Sequence, residues 1–139
     1  MTPSTERNKE LIEQTCDAIN EQDKDTFMSL QDPEIVHHHG SEVRYGVEAV
    51  TDQVWSALDA FPDLTITPET ILAEDDLVAL RYTLTGTHNG EFNGLAPTGK
   101  EFQVSEMKIY RVDDGKVAEV WTATDQLGLL TQLDVVKAP

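Results

Sequence analysis

The sequence predicts an α+β domain: a cone-shaped, curved antiparallel sheet with N-terminal helices packed on its concave face. Two observations carry this prediction. Apolar residues recur every three or four positions up to Phe61 and every two positions after it. Helical segments also precede the run of strands and do not alternate with them, which is not the order of a wound parallel sheet. At 139 residues the chain makes one domain, 1–139, with a core large enough to need no disulfide. Its one cysteine, Cys16, excludes an internal disulfide framework and a cysteine-based zinc site.

Ser4 or Thr5 caps a first helix. Leu11, Ile12, Thr15, Cys16 and Ile19 form its apolar face. Cys16 reads as a packing residue, because nothing basic flanks it. A second short helix runs through residues 25–30, stopped by Asp32-Pro33. Residues 34–39 read as a strand ending at Gly40. Gly46 opens a third helix carrying Val47, Val50, Val54, Trp55, Leu58 and Phe61, ended by Pro62-Asp63. A strand starts at 64–67 and resumes at 70–73 past Pro68, and Asp75-Asp76 turns the chain. Residues 77–88 form a long strand with Val78, Leu80, Tyr82 and Leu84 on one face. Residues 89–99 are a loop rich in Gly, Asn and Pro. Strands 102–112 and 117–125 meet in a hairpin at Asp113-Asp114-Gly115-Lys116. Residues 127–133 close as a helix. Residues 94–100 have the glycine and lysine spacing of a P-loop, but Glu101 stands where magnesium needs Ser or Thr, and a strand follows where a helix must open.

Twenty-six acidic residues against ten basic ones give a net charge of −16. Such a surface is repelled by phosphate backbones and anionic lipid, so neither nucleic acid nor a membrane is expected as a partner. The acids are scattered, with no acidic tail. That suits a halophilic host, where salt screens their repulsion. No apolar run approaches the ~18 residues that cross a bilayer. The first residues lack the basic and apolar stretches of a secretory leader, so the expected compartment is the cytoplasm.

Five segments in register carry a resemblance. They are Phe61-Pro62-Asp63-Leu64; Thr85-Gly86-Thr87-His88-Asn89-Gly90-Glu91-Phe92; Pro97-Thr98-Gly99-Lys100; Tyr110-Arg111-Val112 with Asp114-Gly115-Lys116; and Glu119-Val120-Trp121 through Asp125 to Leu133. Over residues 6–133 the chain resembles the SnoaL-like polyketide cyclase, or ester cyclase, family. The resemblance implies the fold of nuclear transport factor 2 and ketosteroid isomerase, a cystatin-like cone with a deep apolar pocket. It implies an intramolecular aldol ring closure on a polyketide methyl ester, with no metal and no cofactor. It also implies a homodimer paired through the outer face of the sheet.

Asp125 is the first candidate for catalysis. It shares strand parity with Trp121, so it faces the pocket if Trp121 does, barring a bulge. The family's motif, a Trp followed four residues later by Asp and then Gly-Leu-Leu, places the acid/base there. Aldol closure needs a base for an α-proton and then an acid for the new alkoxide, and one carboxyl can serve both steps. A solvated Asp, with a pKa of ~3.9, is a poor base, so burial beside Trp121 is expected to raise it. The alternative is that Asp125 caps the final helix. His88 matches the family's Gly-Thr-His motif; it either polarises a substrate carbonyl or ties down the glycine-rich loop. In His37-His38-His39, alternation puts His37 and His39 on one face and His38 on the other. The resemblance assigns His38 to the pocket as a hydrogen-bond donor. Two histidines, even with His88, make no metal site by spacing, and none is expected. Trp121, Trp55, Phe92, Glu106 and Tyr82 are the candidate substrate-binding residues. Arg111 reads as a surface or dimer position.

Two functional readings follow. One is an enzyme doing acid/base chemistry on a small apolar carbonyl substrate by aldol cyclisation, isomerisation or epoxide opening. The other is a dimer that binds a small apolar ligand without chemistry. The direction of the Asp125 carboxyl discriminates between them.

Overall fold

The computed structural model describes residues 4–137. The elements run α1 (Ser4–Asn20), α2 (Lys24–Ser29), β1 (Gln31–His39), β2 (Glu42–Tyr45), α3 (Val47–Ala60), β3 (Thr65–Glu74), β4 (Leu77–Thr87), β5 (Glu101–Asp113), β6 (Lys116–Thr124) and α4 (Gln126–Gln132). The six strands form one curved sheet in the order β2-β1-β6-β5-β4-β3, open at both edges. Helix α1 lies across β3 and β4, α3 across β1 and β2, and α4 against β5.

Each helix follows its local chemistry. The predicted stripe of α1 is buried, Cys16 included, and burial pushes its thiol up to about 11. Asp23 caps α2, accepting the Thr26 amide at 3.1 Å. Gly46, at φ +93°, turns the chain into α3 and donates its amide to the Ile35 carbonyl.

Three features depart from the expected sheet. The strand β2 pairs with β1 from Val36↔Tyr45 to His39↔Glu42, where the sequence showed only a link to a helix. The sheet is not wholly antiparallel: β1 and β6 run parallel, with His38 opposite Trp121. Chain connectivity explains this, because β1 reaches its neighbour only after β2, α3 and three further strands. Finally, β6 carries a bulge. Val112 pairs with Val117 and Arg111 with Glu119, so Ala118 has no counterpart on β5. Val117 and Ala118 are both buried, and beyond them the inward set is Val120, Thr122 and Thr124.

The buried apolar residues form two clusters. One gathers α1, α2 and the β4–β6 end that holds Val78, Leu80, Tyr82, Tyr110 and Val120. The other holds Leu58, Phe61, Phe102, Val104, Leu129 and Leu133. Val54, Trp55 and Leu84 are half-buried and touch both.

Candidate functional site on the inner face of the sheet

Along β5 the inward residues read Phe102, Val104, Glu106, Lys108, Tyr110 and Val112. The outer four belong to the two apolar clusters, and the polar pair lies between them. On β6, Thr124 stands opposite Glu106 and Thr122 opposite Lys108. His37 and His39 of β1 complete the band from the other side. A polar strip thus crosses a face that is otherwise core, where an unpaired polar group is costly.

Its members are paired. The Tyr82 hydroxyl donates to the Glu106 carboxylate, and Glu106 is only 8% exposed. Burial, followed by the Glu106 charge, holds the Tyr82 hydroxyl well above its usual range. His37, 7% exposed, lies 2.9 Å from Gln53 Oε1 through Nδ1 and 2.8 Å from Thr122 Oγ1 through Nε2. Desolvation, then the Lys108 charge, lowers its pKa to about 4, so its ring is neutral at pH 7. His39 Nε2 lies 3.0 Å from Thr124 Oγ1. The Lys108 ammonium sits 5.7 Å over the Tyr82 ring. No carboxylate among the described residues lies within 4.0 Å of it, in a chain of net charge −16. One face therefore presents a buried carboxylate, a cation without an ion-pair partner, the neutral imidazole of His37, a second histidine and two hydroxyls. That set can move a proton and stabilise a developing negative oxygen.

Residues 9–133 match the family model of the SnoaL-like polyketide cyclases. The chain belongs to this family. Among solved structures, the SnoaL-like chain is similar to AclR of Streptomyces galilaeus, a candidate hydroxylase. The two share 33% identity over 96% of this chain and 89% of that one, with a TM-score of 0.87. It is similar to IdmH of Streptomyces antibioticus, a candidate polyketide cyclase, at 33% identity over 92% and 99%, with a TM-score of 0.81. A candidate SnoaL-like polyketide cyclase from Jannaschia sp. CCS1 superposes over 100% and 98% at a TM-score of 0.89 and 23% identity, which speaks for the nuclear transport factor 2-like fold. No curated protein matches.

In this SnoaL-like chain the predicted site residues separate. Tyr82 and Glu106 meet on the inner face. Asp125 does not join them: it is exposed, and its carboxylate accepts the Gly128 amide at 2.9 Å as the N-cap of α4. Gly128 is needed there, since a Cβ would lie 2.2 Å from Asp125 Oδ2. Trp121 is 38% exposed on the outer face, so it does not bury Asp125. The Ala118 bulge reverses the parity from which both placements were predicted. His38 also faces outward, stacked on Trp121 at 5.4 Å and bonded to Glu119 at 2.7 Å. Glu119 in turn accepts from Arg111 Nε at 3.3 Å, and these two partners lower its pKa.

His88 is fully buried. Its Nδ1 accepts the Thr98 amide at 3.3 Å, so it ties down the loop, while Nε2 has no partner among the described residues. Phe92 packs on Phe61 at 5.1 Å beside it. Trp55 packs on Phe27 at 5.5 Å and spans the two clusters. The two described concavities, about 390 and 420 Å³, lie at the α1–β3 groove and beside Thr85 and Gln132, away from the polar band. Sequence reasoning passed over Lys108, Gln53, Thr122 and Thr124. The available signal was an alternating strand with two charged residues on its apolar face.

The outer face carries a cross-strand row of Val43, His38, Trp121, Ile109, Ala79 and Leu72, one residue from each strand in register. Val43, Trp121, Ile109 and Leu72 are exposed.

Proposed function

We propose that this chain is a cyclase-type enzyme, performing intramolecular aldol chemistry on a small apolar carbonyl substrate with its own side chains. The carrying observation is the Glu106–Lys108 pair set into the apolar inner face and braced by Tyr82. The Glu106 carboxylate takes a proton from the carbon beside a carbonyl, and the Lys108 ammonium stabilises the enolate oxygen. The enolate carbon attacks a second carbonyl of the same molecule, forming the new C–C bond and an alkoxide. Glu106 returns its proton to that alkoxide, so the product is an isomer of the substrate.

The experiment uses 2-tetralone, an apolar ketone with an exchangeable α-hydrogen. Its exchange in D₂O is followed by NMR with the wild-type chain, Glu106→Gln and Asp125→Asn. Glu106→Gln should lose roughly 10²–10⁴-fold. Loss in Asp125→Asn with full activity in Glu106→Gln would move the chemistry to the α4 cap and end this assignment. No exchange above buffer in the wild-type chain would favour the ligand-binding reading.

The chain also pairs with a second copy through the outer face, in this proposal. The row from Val43 to Leu72 supplies the apolar contact, and Arg111 offsets Glu119 at its margin. For a chain of charge −16, an apolar and locally balanced face is the one on which two copies repel least.

A further inference from the structure

Gln53 projects from α3 between two histidines of β1. Its Oε1 lies 2.9 Å from His37 Nδ1, and its Nε2 lies 3.4 Å from His39 Nδ1. An amide has two unlike ends. The oxygen accepts only, so His37 Nδ1 carries a hydrogen and donates it. His37 Nε2 is then a lone pair that accepts the Thr122 hydroxyl at 2.8 Å. The amide nitrogen donates only, so His39 Nδ1 is the bare nitrogen. His39 Nε2 then carries the hydrogen and gives it to Thr124 Oγ1 at 3.0 Å. The bonds run in one direction from Thr122 to Thr124.

That direction fits the residues paired with these threonines on β5. Thr122 has spent its hydrogen on His37 and keeps lone pairs, and its register partner is Lys108. Thr124 has accepted from His39 and keeps a hydrogen to give, and its register partner is Glu106. Reversing the amide would leave the threonine beside the acid without a free hydrogen and the one beside the cation with one.

We propose that Gln53 is a positioning residue, which fixes His37 and His39 in opposite neutral tautomers and so directs the Thr124 hydroxyl hydrogen to Glu106. With Tyr82 on β4, the carboxylate then has a hydroxyl at the register position of each neighbouring strand. The tautomers stand on the geometry alone; the effect on turnover rests on the function proposed above.

Long-range ¹H–¹⁵N spectra of the full chain with labelled histidine rings, at pH 7, test the first part. In the wild-type chain His37 should show a protonated Nδ1 and bare Nε2, and His39 the converse. Gln53→Glu offers oxygen at both ends, so His39 Nδ1 should gain a proton while His37 Nδ1 keeps its own. The same tautomer on both rings of the wild-type chain, or His39 unchanged in Gln53→Glu, overturns the proposal.

The second part is read on 2-tetralone exchange. Gln53→Glu and Thr124→Val should each lose about tenfold, the size of one ordinary hydrogen bond. The double variant should lose no more, because both act through one chain. Additive losses overturn the link to Glu106. A wild-type chain that leaves 2-tetralone unexchanged defeats the enzymatic reading, and the ring spectra still decide the tautomers.

Discussion

Tyr82 and Glu106 stand directly opposite each other on β4 and β5, and the buried phenol donates its hydrogen to the carboxylate. The contact closes the polar band on the side of the apolar core. Tyr82→Phe would leave the carboxylate short of a donor at an 8% exposed position. The expected loss is about 1–3 kcal/mol, measured as a lower urea midpoint at unchanged slope. A midpoint equal to wild type would show that Glu106 is satisfied without it.

Asp125 and Glu106 make opposite predictions for stability and turnover. Asp125→Ala removes the cap of α4 and should cost about 1 kcal/mol. Asp125→Asn keeps an accepting oxygen for Gly128 and should leave both stability and 2-tetralone exchange near wild type. Chemical denaturation and the exchange assay, run on the same preparations, check both.

His37 makes stability depend on pH. Its pKa is depressed to about 4 in the folded chain, against about 6.5 when unfolded. Between those values the unfolded chain binds the extra proton, so stability falls as pH drops from about 6.5 to 4. The contribution is at most about 3–4 kcal/mol, since each pH unit is worth about 1.4. Urea midpoints across that window should fall less steeply for His37→Gln than for the wild-type chain. Parallel curves would refute the depressed value.

The outer face gives a prediction about assembly. Ile109 is exposed in the middle of the row, opposite Trp121. Ile109→Glu should convert the dimer to a monomer in sedimentation equilibrium while leaving the circular dichroism spectrum unchanged. A wild-type chain that sediments as a monomer would refute the pairing.

Salt should stabilise the chain. Its charge of −16 is spread over the surface, and the screening length falls from about 10 Å at 0.1 M to about 3 Å at 1 M. The melting temperature should therefore rise in KCl between those concentrations. A flat or falling curve would remove the case for a surface adapted to high salt.

The fold was legible because its long elements repeat one period many times. Leu11 to Ile19 and Val78 to Leu84 each leave a single choice of buried face. Short or interrupted elements did not. Strand β2 spans four residues behind a run of histidines, and nothing in its composition distinguishes it from a loop. The site was legible in part. Glu106 interrupts an apolar alternation, so its inward direction could be read, and Tyr82 shares the face of Leu80. The histidines were ambiguous because Ile35 and Val36 are both apolar, so neither parity was preferred; Ile35 proved to be the buried one, and it takes His37 and His39 with it. Asp125 and Trp121 were misplaced because a bulge leaves no mark in the alternation of Val117, Glu119 and Trp121.

The unmatched Ala118 is a surplus residue that the strand could shed. Excising it would leave Glu119 opposite Arg111 and Thr122 opposite Lys108, so the ladder would straighten while Thr122 and Thr124 kept the inner face and Trp121 the outer one. The chemistry of the inner face is therefore insulated from a one-codon deletion at this point, whereas the same deletion further along the strand would exchange its faces.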